Sequence, residues 1–206
     1  MRAAVFCGSS MGYPEHFAAA AADFGRSLAR AGVGIVYGGA SVGLMGVLAD
    51  AALAEGGEVI GVIPGGLFTA EVPHPSLTRL DVVSSMHERK AVMASLADGF
   101  AALPGGLGTL DELFEIATLV QTGKVKDFPI LLMGSEYWGP LVDQLQSMVG
   151  AGALTAPELS HMTLVDSPEK AASLAREAGL RRFGLRYPPK PRRLFGERGL
   201  NHRLPG

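Results

Sequence analysis

The sequence predicts an α/β protein: a doubly wound, mostly parallel Rossmann-like sheet with helices on both faces. Three observations carry that expectation. Strand-length apolar runs alternate with helix-length periodic segments along the chain. Most of the runs contain no polar residue, as suits parallel strands covered on both faces. Glycine-bearing loops follow three of the runs, and a doubly wound sheet binds its ligands beyond the carboxyl ends of its strands.

The elements follow in order. A first strand is expected over 3–7, running into Gly8-Ser9-Ser10, then a helix over 14–31. A second strand over 34–37 leads into Gly38-Gly39-Ala40-Ser41-Val42-Gly43 and a helix over 43–55. Strands over 58–63 and 79–83 precede a helix over 86–97. The run 100–103 ends at Pro104, and Gly105, Gly106 and Gly108 punctuate the turn before a helix over 109–121. A strand over 130–133, a helix over 138–149, a strand over 163–165 and a helix over 168–177 complete the pattern. Beyond Leu185 the chain turns proline-rich and basic (Tyr187-Pro188-Pro189-Lys190-Pro191-Arg192-Arg193), with no apolar period. The division expected is a nucleotide-binding domain over 1–184 and an irregular tail over 185–206.

Composition narrows the function classes. At 206 residues, 48% hydrophobic and 18% charged, the chain reads as one globular domain with a tail. A net charge of −2 gives no global attraction to nucleic acid or anionic membrane. Cys7 is the single cysteine, so neither a disulfide framework nor a cysteine metal cluster is expected. The apolar start is too short for a signal peptide, and no run approaches a membrane helix. A cytoplasmic protein with no metal, no cofactor and no nucleic-acid or membrane partner is the expectation.

Two stretches carry chemistry. In Pro104-Gly105-Gly106-Leu107-Gly108-Thr109-Leu110-Asp111-Glu112 a strand, a glycine turn and a helix start coincide. Helix N-termini bind anions through unpaired N–H groups and the helix dipole, and glycine lets a phosphate approach the backbone. Thr109 and Glu112 have the spacing of a capping box, in which Glu112 would only satisfy a backbone N–H. The loop is neither a Walker A loop nor a Gly-x-Gly-x-x-Gly fingerprint. In Met86-His87-Glu88-Arg89-Lys90-Ala91-Val92-Met93, helix spacing puts Met86, Arg89, Lys90 and Met93 on one face. Arg89 thus falls among apolar positions, where it needs an acidic or ligand partner unless it snorkels outward. Met86 and Met93 read as core filler, although Met86 also stands among the candidate substrate contacts. A phosphate beside Asp111 and Glu112 requires nearby cations, and Arg89 and Lys90 are the available ones.

These two stretches together resemble the paired signature of the Lonely Guy family, cytokinin riboside 5′-monophosphate phosphoribohydrolases long mislabelled as lysine decarboxylases. The resemblance extends to Phe6-Cys7-Gly8-Ser9-Ser10, Tyr37-Gly38-Gly39, Gly43-Leu44-Met45-Gly46 and Gly61-Val62-Ile63-Pro64, and covers about 1–180. It implies that Arg89 and Glu112 are catalytic and that Lys90 and the loop Gly105, Gly106, Leu107, Gly108 and Thr109 bind substrate. Glu71 and Thr118 match further nucleotide contacts of the family. Gly8, Ser9, Leu110 and Asp111, in or beside the same loops, complete the candidate set. Ser85 stands where many members carry an acid, and Ala40 replaces a frequent glycine. The implied activity is cleavage of the N-glycosidic bond of AMP or a cytokinin riboside monophosphate to free base and ribose 5-phosphate, in a homodimer. The family's dimeric habit joins the broad apolar surface of Phe114, Ile116, Leu119 and Val120 in suggesting a second copy. Competing readings are a nucleotide or cofactor carrier on the same fold, a dinucleotide-dependent oxidoreductase, a single-strand DNA-binding module and a true lysine decarboxylase.

Overall fold

The computed structural model describes residues 1–67, 72–125 and 129–182. Glu71 and the expected tail over 185–206 lie outside the described residues. Seven strands, β1 (Arg2–Phe6), β2 (Gly34–Tyr37), β3 (Val59–Pro64), β4 (Arg79–Val83), β5 (Phe100–Ala102), β6 (Ile130–Met133) and β7 (Met162–Val165), form one sheet. Its order is β4-β3-β2-β1-β5-β6-β7, and every neighbouring pair is parallel. The chain winds outward from β1 to β4, then returns to the other side of β1 with β5. The order reverses between β1 and β5, so a crevice must open there, beyond the strand ends.

Helices cover both faces. On one side α1 (Glu15–Arg30), α2 (Gly43–Ala54) and α7 (Pro168–Arg182) pack Phe24, Leu28, Leu44, Leu48 and Ala172 onto Val5, Ile35, Tyr37 and Leu103. On the other side α3 (Met86–Leu96), α4 (Leu107–Gln121) and α5 (Ser135–Gly150) pack Met93, Leu113, Ile116 and Trp138 onto Phe6, Val36, Ile60 and Ala102. The period-2 alternation of side chains divides each strand between the two cores. Both faces of the central strands are therefore apolar, which is why they read as unbroken apolar runs. At the sheet margin β4 is more polar, and Arg79 grips Asp81 with two 2.6 Å bonds along its exposed face. A charged edge discourages pairing with another chain.

Two helix starts and one short helix depart from expectation, and several other ends shift by one or more residues. The helix α4 begins at Leu107, two residues before Thr109, with Gly106 as its N-cap. The helix α5 begins at Ser135 because Asp166, beyond β7, caps it: Ser135 donates its N–H at 2.7 Å and its hydroxyl at 2.9 Å. These bonds also hold the Asp166 carboxyl below its ordinary range. A one-turn helix, α6 (Ala156–Leu159), was not anticipated, and Thr155 and Glu158 close a capping box at its start.

Candidate active site

The crevice between β1 and β5 is built from two loops in contact. The Gly8 N–H donates to the Pro104 carbonyl at 3.1 Å, and a side-chain carbon on Gly8 would stand 3.4 Å from the Gly105 Cα. Gly105 is tighter still, since a Cβ there would meet Thr109 Oγ1 at 2.1 Å. Ser9 rests on Gly43, whose φ is +60° and whose added Cβ would strike the Ser9 carbonyl carbon at 2.3 Å. Glycine at positions 8, 43 and 105 thus lets backbone meet backbone or a close side chain. Gly106 and Gly108 are different: both are exposed, neither has a positive φ, and a Cβ on either would meet nothing within 4 Å. Their open side lies at the start of α4, where Leu110 N–H makes the first helical bond to the Gly106 carbonyl. The amides of Leu107, Gly108 and Thr109 have no intrahelical acceptor. Leu107 stands 84% exposed beside them.

The start of α4 overturns the capping assignment for Thr109 and Glu112. No side chain caps α4. Thr109 is the third helical residue and is buried against Gly105, and Glu112 is the sixth. A residue that deep in the helix cannot reach the N-cap amide. Glu112 instead turns inward, buried, with Oε1 3.5 Å from Nη2 of Arg89. Arg89 is itself buried at 5% exposure, which rules out snorkelling to solvent. Removing one member of such a buried pair costs about 3–5 kcal/mol, because the other charge is left uncompensated. Cys7, at the end of β1, adjoins the pair. Burial pushes its thiol far up, the Glu112 charge adds to this, and Arg89 opposes it. Cys7 is therefore an uncharged wall and not a nucleophile.

Lys90 takes a second pair of acids on α4. Its Nζ lies 2.9 Å from Asp111 Oδ2 and also bonds Glu115, with its side chain 12% exposed. The Glu115 bond, followed by that of Asp111, holds the ammonium above the ordinary lysine value. The two cations of α3 thus stand against acids of α4, as the electrostatic reading of the sequence required. Lys90 thus bonds both Asp111 and Glu115. Glu115 was absent from the candidates, and only its distance to Lys90 reveals it.

Other candidates separate. Met86 is 41% exposed, not core filler, with Sδ 3.7 Å from Arg89 Nη1, whereas Met93 is buried. Leu110 is half-buried on α4. Thr118 lies six residues past Glu112, about 9 Å along the helix, and its hydroxyl donates to the Phe114 carbonyl at 2.8 Å. It lines a groove of about 220 Å³ with Phe114, Leu145, Met148, Leu154 and Met162, and an open depression with Asp111 and Glu115. Phe114 is 39% exposed on that outer face, while Ile116 and Val120 belong to the core, so the apolar surface of α4 is narrower than expected.

A cavity of about 250 Å³ adjoins the glycine loop, lined by Gly8, Ser10, Phe17, Leu44, Gly105 and Tyr137 among others. The Tyr137 hydroxyl donates to the Gly105 carbonyl at 2.5 Å, and its ring meets Phe17 edge-on at 5.6 Å. That bond ties α5 to the glycine loop and satisfies the Gly105 carbonyl. Local sequence offered no signal for Tyr137, because it depends on where α5 lies. Among the described residues no three His, Cys, Asp or Glu side chains are grouped to hold a metal ion, and no helix is long and apolar enough to cross a membrane.

The family model described as "Possible lysine decarboxylase" matches residues 45–174, which include the Arg89 helix, the glycine loop and Glu112. The chain is 44% identical over 174 residues to a cytokinin riboside 5′-monophosphate phosphoribohydrolase of Rhodococcoides fascians, covering 84% of this chain and 87% of that one. The chain belongs to the Lonely Guy family. A member from Arabidopsis thaliana, bearing the same phosphoribohydrolase description, is 40% identical over 168 residues, covering 81% of this chain and 78% of its own. Among solved structures, the molybdenum cofactor carrier protein of Chlamydomonas reinhardtii superposes with a TM-score of 0.64 at 20% identity, over 86% of this chain and 96% of that one. That likeness shows a shared fold and nothing about ligand.

Proposed function

We propose that this chain is a nucleoside 5′-monophosphate phosphoribohydrolase, cleaving AMP or a cytokinin riboside monophosphate to free base and ribose 5-phosphate. The observation that carries the reading is the burial of an ionisable pair, Glu112 and Arg89, behind an uncapped helix start. Family members that are 40–44% identical bear the same activity in their names. The 5′-phosphate sits on the amides of Leu107, Gly108 and Thr109, where the helix dipole favours negative charge. The ribose then lies toward Glu112. As the C1′–N9 bond breaks, its electron pair leaves with the base and positive charge develops on the sugar. The Glu112 carboxylate stabilises that charge and takes the proton of the attacking water, which passes to the departing base. Arg89, 3.5 Å away, orients the Glu112 carboxylate. The cavity beside Tyr137 and Phe17 gives the site its apolar wall.

The protein works as a homodimer, with Phe114 and Leu119 on the outer face of α4 turned toward the second copy. Partial exposure of Phe114 beside the groove of Met148 and Leu154 supports this. Light scattering at micromolar concentration should give twice the chain mass, and a monomer would remove the dimer from the proposal.

The test of activity is incubation with AMP, isopentenyladenosine monophosphate and adenosine, with release of free base followed by chromatography. Both nucleotides should be cleaved and adenosine should be a poor substrate. Equal cleavage of adenosine would remove the phosphate anchor. AMP bound tightly but recovered intact would make the protein a nucleotide carrier.

A further inference from the structure

Gly38 ends the run of β2 and opens the second glycine loop. Its neighbour Gly39 has a φ of +83°, which explains a glycine there. Gly38 has no positive φ, so its backbone conformation does not call for one. Space does. A Cβ on Gly38 would lie 2.1 Å from Nη2 of Arg89 and 3.2 Å from its Cζ, with Met45 Sδ at 2.9 Å. The guanidinium occupies the volume that any other residue would fill with its own side chain. None of the three nearest atoms is backbone, in contrast to Gly43, whose Cβ would strike the Ser9 main chain.

We infer that Gly38 is a positioning residue for Arg89: its missing side chain is the seat of the guanidinium, and so sets the distance from Arg89 to Glu112. This deepens the proposed function and rests on it for the catalytic consequence. Four elements meet at the seat. The end of β2 supplies the floor at Gly38, α3 brings the arginine, and α4 brings the carboxylate 3.5 Å from the same nitrogen, Nη2, that touches the floor. Met45, 4% exposed on α2, closes the far side. A methyl group at position 38 must displace the guanidinium, and with it the nitrogen that stands 3.5 Å from Glu112. The arginine cannot swing clear to solvent, since its side chain is 7% exposed. A displacement near 1 Å in catalytic geometry costs about 100-fold in rate.

The experiment pairs Gly38→Ala with Arg89→Ala and reads both melting temperature and AMP turnover. Gly38→Ala alone should lower kcat roughly 10- to 100-fold with little change in KM, because the atoms nearest the added methyl belong to Arg89 and Met45 and not to the phosphate loop. It should also lower the melting temperature more in the wild-type chain than in the Arg89→Ala chain, where the guanidinium no longer occupies the seat and only the Met45 sulfur has to give way. Met45→Ala, which clears the sulfur only, should not restore kcat to Gly38→Ala. The same melting-temperature loss in both backgrounds would overturn the inference and make Gly38 a backbone requirement. A raised KM with kcat preserved would overturn it too. If the wild-type chain leaves AMP intact, the proposed function fails by itself, while the coupling of melting temperatures still decides whether Gly38 seats Arg89.

Discussion

Replacing Gly108 with alanine should make this protein more stable and less active. Gly108 is the second residue of α4, its φ is not positive, and a Cβ placed on it meets no atom within 4 Å. The folded protein has no use for a glycine there. Alanine is favoured over glycine inside a helix by up to about 1 kcal/mol, through backbone entropy lost from the unfolded chain. For a domain of this size that raises the melting temperature by about 2–4 °C. The same methyl group would stand over the amides that hold the phosphate in the proposed complex. Overfilling a packed contact costs about 1–3 kcal/mol, which is about 5- to 150-fold in kcat/KM. The loss should appear mainly in KM, because the phosphate is held alike in ground and transition states. Thermal unfolding and AMP titration on one preparation test both halves. Adenosine, lacking the phosphate, serves as the control and should be unaffected. A Gly108→Ala protein that is stabilised but keeps the wild-type KM for AMP would refute the placement of phosphate at this helix start.

Three further outcomes are expected. Glu112→Gln should lower AMP turnover by roughly 100-fold or more, with a lower melting temperature because buried Arg89 loses its counter-charge; a fully active variant would end the catalytic assignment. Tyr137→Phe should raise the KM for AMP several-fold and cost about 1 kcal/mol of stability, since the Gly105 carbonyl loses its donor; an unchanged KM would leave Tyr137 with a packing role only. Lys90 is held above its usual pKa first by Glu115, then by Asp111. Its contribution to stability is therefore full below the ordinary lysine value and is lost as pH rises through the higher folded value. Lys90→Met should flatten the alkaline limb of the stability profile, measured by denaturant unfolding at several pH values; an unaltered limb would refute this.

Much of the fold was legible because its signals are local. The run Ile130–Met133 and the periodic stretch of α1 declare themselves within a few residues of sequence. The helix start at Leu107 was misjudged because Thr109 mimics a cap. The chain holds the Thr-x-x-Glu pattern at Thr109–Glu112 and at Thr155–Glu158, and only the second is a capping box. The four residues are the same in kind, and what differs is the glycine turn that lets α4 begin earlier. The early start of α5 was invisible for another reason: its cap, Asp166, lies 31 residues away.

By itself, then, the sequence determined the alternation of strands and helices, the glycine loops at strand ends, and the residues Arg89 and Glu112 as candidates, since periodicity and punctuation act along the chain. The sheet order decided the rest. By placing β5 beside β1 it brought Gly8 against Gly105. With α3 and α4 on one face, Arg89 met Glu112 and Lys90 met Glu115, and the end of β2 passed beneath the guanidinium at Gly38. Those pairings are matters of distance between remote segments. Charge and volume act through space, and only the packed sheet fixes which segments share it.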